Sequence, residues 1–378
     1  MPGRAGAGII GGVGGEFVPG VRLAGEFYAE AVRPVLEAEF PGLAYAAALI
    51  GPGSEVLGFD TERSTDHDWG PRLLVFGEDE EVERLGGAVD EMLGRRLPEV
   101  FGGHPVAFDV TRDPGSGARH RVEVFGLGGW LAGRLGFDPR GGVTVRDWLA
   151  SPWQRLAEVT AGAVFHDGTG GLTRARAALS WYPDDVWRYV LSCQWSRIAE
   201  EEAFGGRCAE AGDELGSAVV TARLARDLMR LWLLMHRRYP PYSKWLGSAF
   251  AQAPGGAGLG RHLAAALTAA GWAARERELV PAYRIAAEAH NGLGLTEPLD
   301  PGTRPYYDRP YQVLDAGRFA AALTATITDP VVRRLGPAGT ADQVLDSTPA
   351  LGDLRYARAV TSVSDRDMSV LGVSDTQT

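Results

Sequence analysis

Apolar positions along this chain change their period near the middle. In the first half, short apolar runs alternate with amphipathic stretches. Leu23, Phe27, Val32 and Leu36 recur at helical spacing and predict a helix over 21–40. LAYAAALI (43–50) reads as a buried strand closed by Gly51-Pro52-Gly53. RLLVF (72–76), PVAFDVT (105–111) and RVEVF (121–125) read as further strands, with a leucine-and-charge helix over 80–97. The stretch 144–161 is predicted helical despite Pro152, and 163–166 closes the sheet. Beyond about 178 the period is helical throughout. Asp184 is placed to cap a helix running to Phe204. Over 214–238, Val220, Leu224, Leu228, Leu231 and Met235 form one apolar stripe. More helices are predicted over 259–275, 277–291 and 316–328.

This pattern predicts an α+β chain in four parts: a flexible leader (1–20), an α+β domain with a mixed sheet (21–178), an all-helical domain (179–330) and a partly disordered C-terminal extension (331–378). No internal repeat is visible. The leader spells Gly6-x-Gly8-x-x-Gly11, but no strand precedes it, so the dinucleotide reading is rejected.

Composition narrows the function. Of 378 residues, 45% are hydrophobic and 23% charged, which fits a globular protein with a sizeable core. A net charge of −10 argues against a nucleic-acid polymer as partner and fits a small, cationic substrate. No apolar run is long enough to span a membrane, and the glycine-rich start does not read as a signal peptide. Cys193 and Cys208 have no disulfide or zinc spacing, so a cytoplasmic location is expected.

Candidate chemistry gathers in GSEVLGFDTERSTDHDWG (53–70). Asp66 and Asp68 are spaced i, i+2, which on a strand puts both carboxylates on one face. Such a pair suits Mg²⁺, a hard cation that prefers oxygen and keeps phosphates in its shell. The alternative is an exposed polar turn. Asp109, among apolar neighbours, supplies a third carboxylate if its strand lies beside the first.

Gly53-Ser54, then Asp66-x-Asp68, then the distant Asp109, resembles the nucleotidyltransferase superfamily, which includes polymerase beta and the aminoglycoside nucleotidyltransferases. The resemblance covers about 21–178. The segments DHDWGP, RIAEEEAFGGR, GDELGS and PPYSKWLG further resemble a bacterial family of unknown function within that superfamily. The resemblance implies that Gly53-Ser54 opens a helix and cradles triphosphate. It implies that Asp66, Asp68 and Asp109 hold two Mg²⁺ ions, and that an NMP group passes from an NTP, ATP being the commonest, to a hydroxyl. Asp109 then also serves as a base. His67 departs from the family, which places an apolar residue between the paired acids.

In the helical half, Glu201 lies in the run Glu200–Glu202, which reads either as a solvated face or as a base or amino-group ligand. Arg223, Arg226 and Arg230 form a second stripe that faces either phosphate or solvent. Lys244 is the chain's one lysine against 37 arginines (38 basic residues in all), flanked by Tyr242 and Trp245. A compact ammonium there suits the β- and γ-phosphates of the NTP. The scattered histidines read as structural. Two other readings compete: a non-catalytic nucleotide sensor on the same fold, and a metal phosphohydrolase suggested by the doublets His67-Asp68 and His166-Asp167.

Overall fold

The computed structural model describes residues 17–66, 69–108 and 118–362, with backbone alone at Asp66 and Phe108. These residues form two compact units, one up to Phe125 plus Gly162–Gly168, the other Gly126–Ala161 plus everything from Thr169. The division therefore falls ahead of the expected boundary at 178, and one strand of the first unit is supplied from beyond the point where the second begins.

The first unit opens with α1 (Gly20–Phe27), a π-helical turn (Tyr28–Val32) and α2 (Arg33–Glu39). The wide turn sits directly ahead of Pro34, which has no N–H for the carbonyl of Glu30. There follow β1 (Ala46–Leu49), β2 (Arg72–Gly77), α3 (Asp79–Arg96), β3 (Val100–Phe101), β4 (His104–Pro105), β5 (Ala107–Phe108), β6 (Arg119–Gly126) and β7 (Ala163–Asp167). β3 and β4 pair with each other; the other five make a small mixed sheet in the order β5-β6-β2-β1-β7. β1 pairs antiparallel with β2, Ala47 opposite Val75, and with β7. Phe27, Val32 and Leu36 pack with Ala47, Leu73, Val75 and Val122 of the sheet and with Val89, Met92 and Leu93 of α3. The predicted core faces thus meet in one layer of helices on one sheet face.

Two expectations for this unit change. The strand predicted over 105–111 is divided between β4 and β5 as far as it is described, and β6 lies between β5 and β2, so β5 is not the direct neighbour of β2. His166 and Asp167 stand on β7, whereas the phosphohydrolase reading needs a helical fold.

The second unit holds α4 (Leu127–Leu135), α5 (Val145–Ala150), α6 (Trp153–Thr160), α7 (Gly171–Ala178), α8 (Asp184–Glu201), α9 (Phe204–Glu210), α10 (Glu214–Met235), α11 (Ser243–Ala251), α12 (Gly256–Thr268), α13 (Trp272–Gly292), the hairpin β8 (Arg304–Pro305) and β9 (Gln312–Val313), and α14 (Gly317–Ala325) to α17 (Leu354–Ser362), with α15 at Ala341–Val344 and α16 at Thr348–Gly352. The helix predicted over 144–161 breaks at Ser151-Pro152, because proline excludes helical backbone from the residue before it. Pro183, not Asp184, occupies the N-cap of α8, and Asp184 instead adds negative charge to the first turn. Asp213 does cap α10, accepting from the Gly216 N–H at 2.7 Å. Leu224, Leu228, Leu231 and Met235 of the predicted stripe are buried.

Up to Ser362 the expected C-terminal extension is part of this unit. Thr340 and Gln343 form a capping box on α15, and the Gln343 amide donates to the Val190 carbonyl and the Gln194 side chain at 3.0 and 3.1 Å. Asp342 accepts from the Trp153 N–H at 2.8 Å. Glu202, also buried, accepts from the backbone N–H groups of Leu314, Asp315 and Ala316 at 2.7, 3.1 and 2.9 Å, which holds the approach to α14. Among the described residues no helix is long and apolar enough to cross a membrane.

Candidate functional site

Gly53 follows β1 and opens a turn over 54–58, not the helix that the resemblance implies. The backbone explains the difference. Gly53 and Gly58 have φ of 143° and 71°, outside the helical region, and the turn closes through the Phe59 N–H to the Ser54 carbonyl at 2.8 Å. A Cβ on Gly53 would collide with the Arg72 guanidinium and with both Glu55 carboxylate oxygens. No other residue fits there.

Those two side chains brace the turn. Arg72 Nε donates to Glu55 Oε1 at 2.6 Å, and an Arg72 NH2 group donates to the Pro52 carbonyl at 2.6 Å. Glu55 is 4% exposed and Arg72 8%. A buried pair of this kind adds little net stability, but removing one partner strands the other charge at a cost of about 3–5 kcal/mol. Arg72 begins the central strand β2, so the pair ties the turn to the middle of the sheet.

A second knot lies beside the first. Asp60 accepts from the Gly20 N–H at 2.7 Å and from Trp69 Nε1 at 3.1 Å. Pro19, at the N-cap of α1, has no side-chain acceptor, so Asp60 supplies that cap from 40 residues away. Trp69 stands edge-on to His104 with ring centroids 4.9 Å apart. Burial holds the His104 imidazole below its ordinary range. The chain between Asp60 and Trp69 is therefore pinned at both ends. Within it runs a short 3₁₀ helix, Glu62–Asp66. Asp66 ends that helix, so its backbone is not the strand on which an i, i+2 pair shares a face. The Asp66 side chain, His67, Asp68 and Asp109 lie outside the described residues. Among the described residues no group of three or more His, Cys, Asp or Glu is arranged to hold a metal.

Ser54 is half-buried, and its hydroxyl makes no hydrogen bond to another described residue. Among the described residues the turn thus leaves this hydroxyl without a partner, on a braced base.

The candidates of the second unit are placed differently. Glu201 receives Arg223 Nε at 2.9 and 2.8 Å on its two oxygens, with a further contact from the guanidinium. The two expected site residues satisfy each other. Arg226 reaches Asp346 at 2.8 Å, and Arg230 is buried over the Trp153 ring beside the Asp342 carbonyl. The arginine stripe of α10 faces acids and carbonyls of its own unit. Lys244 stands exposed in the first turn of α11, its Nζ 4.7 Å from the Trp245 ring centroid. Tyr242 is the N-cap of that helix and offers it no side-chain acceptor; its own N–H donates to Gln154 Oε1 at 3.2 Å.

Glu55, Asp60, Trp69 and Arg72 did not stand out in the sequence. The available signal was Arg72 at the head of an otherwise apolar strand: a charge buried with that run must have a partner.

A family model described as "Domain of unknown function (DUF4037)" matches residues 148–246. That stretch contains RIAEEEAFGGR, GDELGS and all but the last residue of PPYSKWLG; DHDWGP lies outside it. No curated protein matches. Among solved structures, the chain is similar to a nucleotidyltransferase-like protein from Exiguobacterium sibiricum 255-15, at 13% identity over 79% of this chain and 88% of that one, with a TM-score of 0.31.

Proposed function

We propose that this chain is a cytoplasmic, metal-dependent nucleotidyltransferase that moves an NMP group, from ATP or another NTP, to a hydroxyl of a small, cationic or sugar-like molecule. The observation that carries the reading is the braced turn at Gly53-Ser54. Its hydroxyl has no partner among the described residues, and the chain leads from it through Asp60 to the segment bearing Asp66 and Asp68.

Asp66, Asp68 and Asp109 are a donor set of carboxylate oxygens, which fits a hard divalent cation such as Mg²⁺. When bound, Mg²⁺ supplies positive charge to the phosphates and to the oxygens that attack and leave. The rest falls to the chain. Gly53 lets the backbone approach a phosphate, and Ser54 donates to it. Asp109 accepts the proton of the acceptor hydroxyl. The hydroxyl oxygen bonds to the α-phosphorus, the bond to the bridging oxygen breaks, and pyrophosphate leaves with the electron pair. Lys244 and Tyr242 belong to the second unit and are assigned no step. With Glu201 and Arg223 paired together, neither is assigned a step.

The test is turnover. The full chain is incubated with Mg²⁺, each NTP in turn, and a panel of hydroxylated small molecules, and pyrophosphate release is followed. Release that depends on one acceptor supports the reading. NTP binding without release under every condition turns it toward a nucleotide sensor.

A further inference from the structure

Asp60 and Trp69 bound a surface loop whose ends meet. A single oxygen, Asp60 Oδ2, accepts from the Gly20 N–H at 2.7 Å and from Trp69 Nε1 at 3.1 Å. The first bond caps α1; the second closes the loop across nine positions. Trp69 is gripped from other sides as well. It is 8% exposed, with the Phe17 and His104 ring centroids 5.9 and 4.9 Å away. Gly20 comes so close that a Cβ on it would stand 2.9 Å from Trp69 Nε1 and 2.7 Å from the Glu55 Cβ. The start of α1 therefore presses on the end of the loop and on the braced turn at once.

Inside the loop the chain holds mainly to itself. Thr61, Glu62, Arg63 and Thr65 are exposed. The hydrogen bonds described for Thr61 to Thr65 stay within the stretch. The Ser64 N–H donates to the Thr61 carbonyl at 2.8 Å, the Thr61 N–H to Ser64 Oγ at 3.1 Å, and the Thr65 hydroxyl to the Glu62 carbonyl at 2.8 Å. These bonds shape the 3₁₀ helix Glu62–Asp66 without fixing where it stands. Among the described residues its place is set by the two ends of the loop, and the bond between Asp60 and Trp69 holds those ends together.

We propose that Asp60 is a positioning residue, whose bond to Trp69 clasps this loop and sets where Asp66, at the end of the 3₁₀ helix, stands for the metal ion. The placing of Asp66 for a metal rests on the nucleotidyl-transfer reading; the clasp itself does not. The charge of Asp60 is not what the clasp needs. One amide oxygen has lone pairs for the same two bonds, so asparagine should serve at this position and alanine should not. Trp69→Phe separates the two duties of Asp60. It removes the Nε1 donor, keeps an aromatic ring against Phe17 and His104, and leaves the cap on α1 in place.

Trypsin reads the clasp without any turnover, because Arg63 lies inside the loop and cleavage follows the population of the open form. The full chain is treated briefly, and the cut after Arg63 is timed by mass spectrometry. Trp69→Phe and Asp60→Ala should be cut about tenfold faster than the parent, the worth of one hydrogen bond, and Asp60→Asn at close to the parent rate. Melting should stay cooperative in Trp69→Phe, while Asp60→Ala, which also loses the cap, should melt lower. Should Asp60→Ala fail to fold, Trp69→Phe and Asp60→Asn decide. The placing of Asp66 is read in the Mg²⁺ concentration that gives half-maximal pyrophosphate release. It should rise about tenfold in Trp69→Phe and stay put in Asp60→Asn, with release recovering at saturating Mg²⁺. A folded Trp69→Phe cut no faster than the parent overturns the proposal. So does an Asp60→Asn chain as open as Asp60→Ala, or a Trp69→Phe chain that loses release equally at every Mg²⁺ concentration or not at all. If the parent chain releases no pyrophosphate, the transfer reading fails, and the cut at Arg63 still decides the clasp.

Discussion

The turn at Gly53 and the arginine face of α10 both pair strong charge within the fold, and they differ in what stands beside it. On α10, Arg223, Arg226 and Arg230 are matched by Glu201, Asp346, Asp227 and the Asp342 carbonyl. Around Gly53, the charge of Arg72 is matched by Glu55 underneath, and the Ser54 hydroxyl above it is left without a described partner. A row of arginines in a sequence therefore says little about anion binding until the acids that fold against it are counted. A glycine that excludes every side chain, beside a hydroxyl with no described partner, is the sounder place to test for it.

The largest effect that would sharpen this contrast is expected at the three acids. Asp66→Asn, Asp68→Asn and Asp109→Asn should each lower pyrophosphate release by about a thousandfold or more while melting stays cooperative. Undiminished release from Asp66→Asn would remove the metal assignment. Next is the brace. Arg72→Ala should destabilise the chain by about 3–5 kcal/mol in a denaturant titration, because Glu55 is left buried and unpaired. The double variant Glu55→Leu with Arg72→Leu should recover most of that stability yet not the turnover, since the floor under Gly53 has changed. If the double variant turns over normally, the brace is only structural.

A smaller effect, on the order of 2–3 kcal/mol, should appear in pH dependence. Burial raises the Glu202 carboxyl to about 7 from the ordinary 4.5, against the pull of its three N–H partners. The folded chain thus holds this proton more tightly than the unfolded one. The contribution is fully present below about 4.5 and is lost as pH rises through about 7. Asp342, raised to about 6 by burial, acts in the same direction. Glu202→Gln should flatten the fall in melting temperature between these values; a steeper fall contradicts the assignment. Smallest of all, Glu201→Gln should change stability by at most about 1 kcal/mol, as for partly exposed ion pairs, and turnover by less than about threefold. A hundredfold loss would make Glu201 a base after all and erase the contrast.

Periodicity made most of the elements legible. RLLVF is β2, the leucine-and-charge pattern is α3, and the 220–235 stripe is the buried face of α10. It failed where glycine and proline disguise a helix. α4 reads LGGWLAGRL and carries too much glycine to look helical, and Pro152 turns one predicted helix into two. At the candidate site, Gly53-Ser54 stood out in the sequence, but its support did not. Glu55 and Arg72 meet across 17 positions and Gly20 and Asp60 across 40, contacts that no local pattern encodes. The helix expected after Ser54 gave way to a turn because the backbone at Gly58 is left-handed.

The bond between Trp153 and Asp342 spans 189 residues, and it sets an order on synthesis. A chain leaving the ribosome has every described strand of its first unit once Gly168 is out. The second unit must wait. The Trp153 amide, the Gln194 side-chain oxygen and the guanidinium of Arg226 remain without these partners until residues 342–346 emerge. For the length of that delay the first unit stands alone beside an unfinished neighbour. A chain cut short before residue 340 would leave the second unit without these closing bonds.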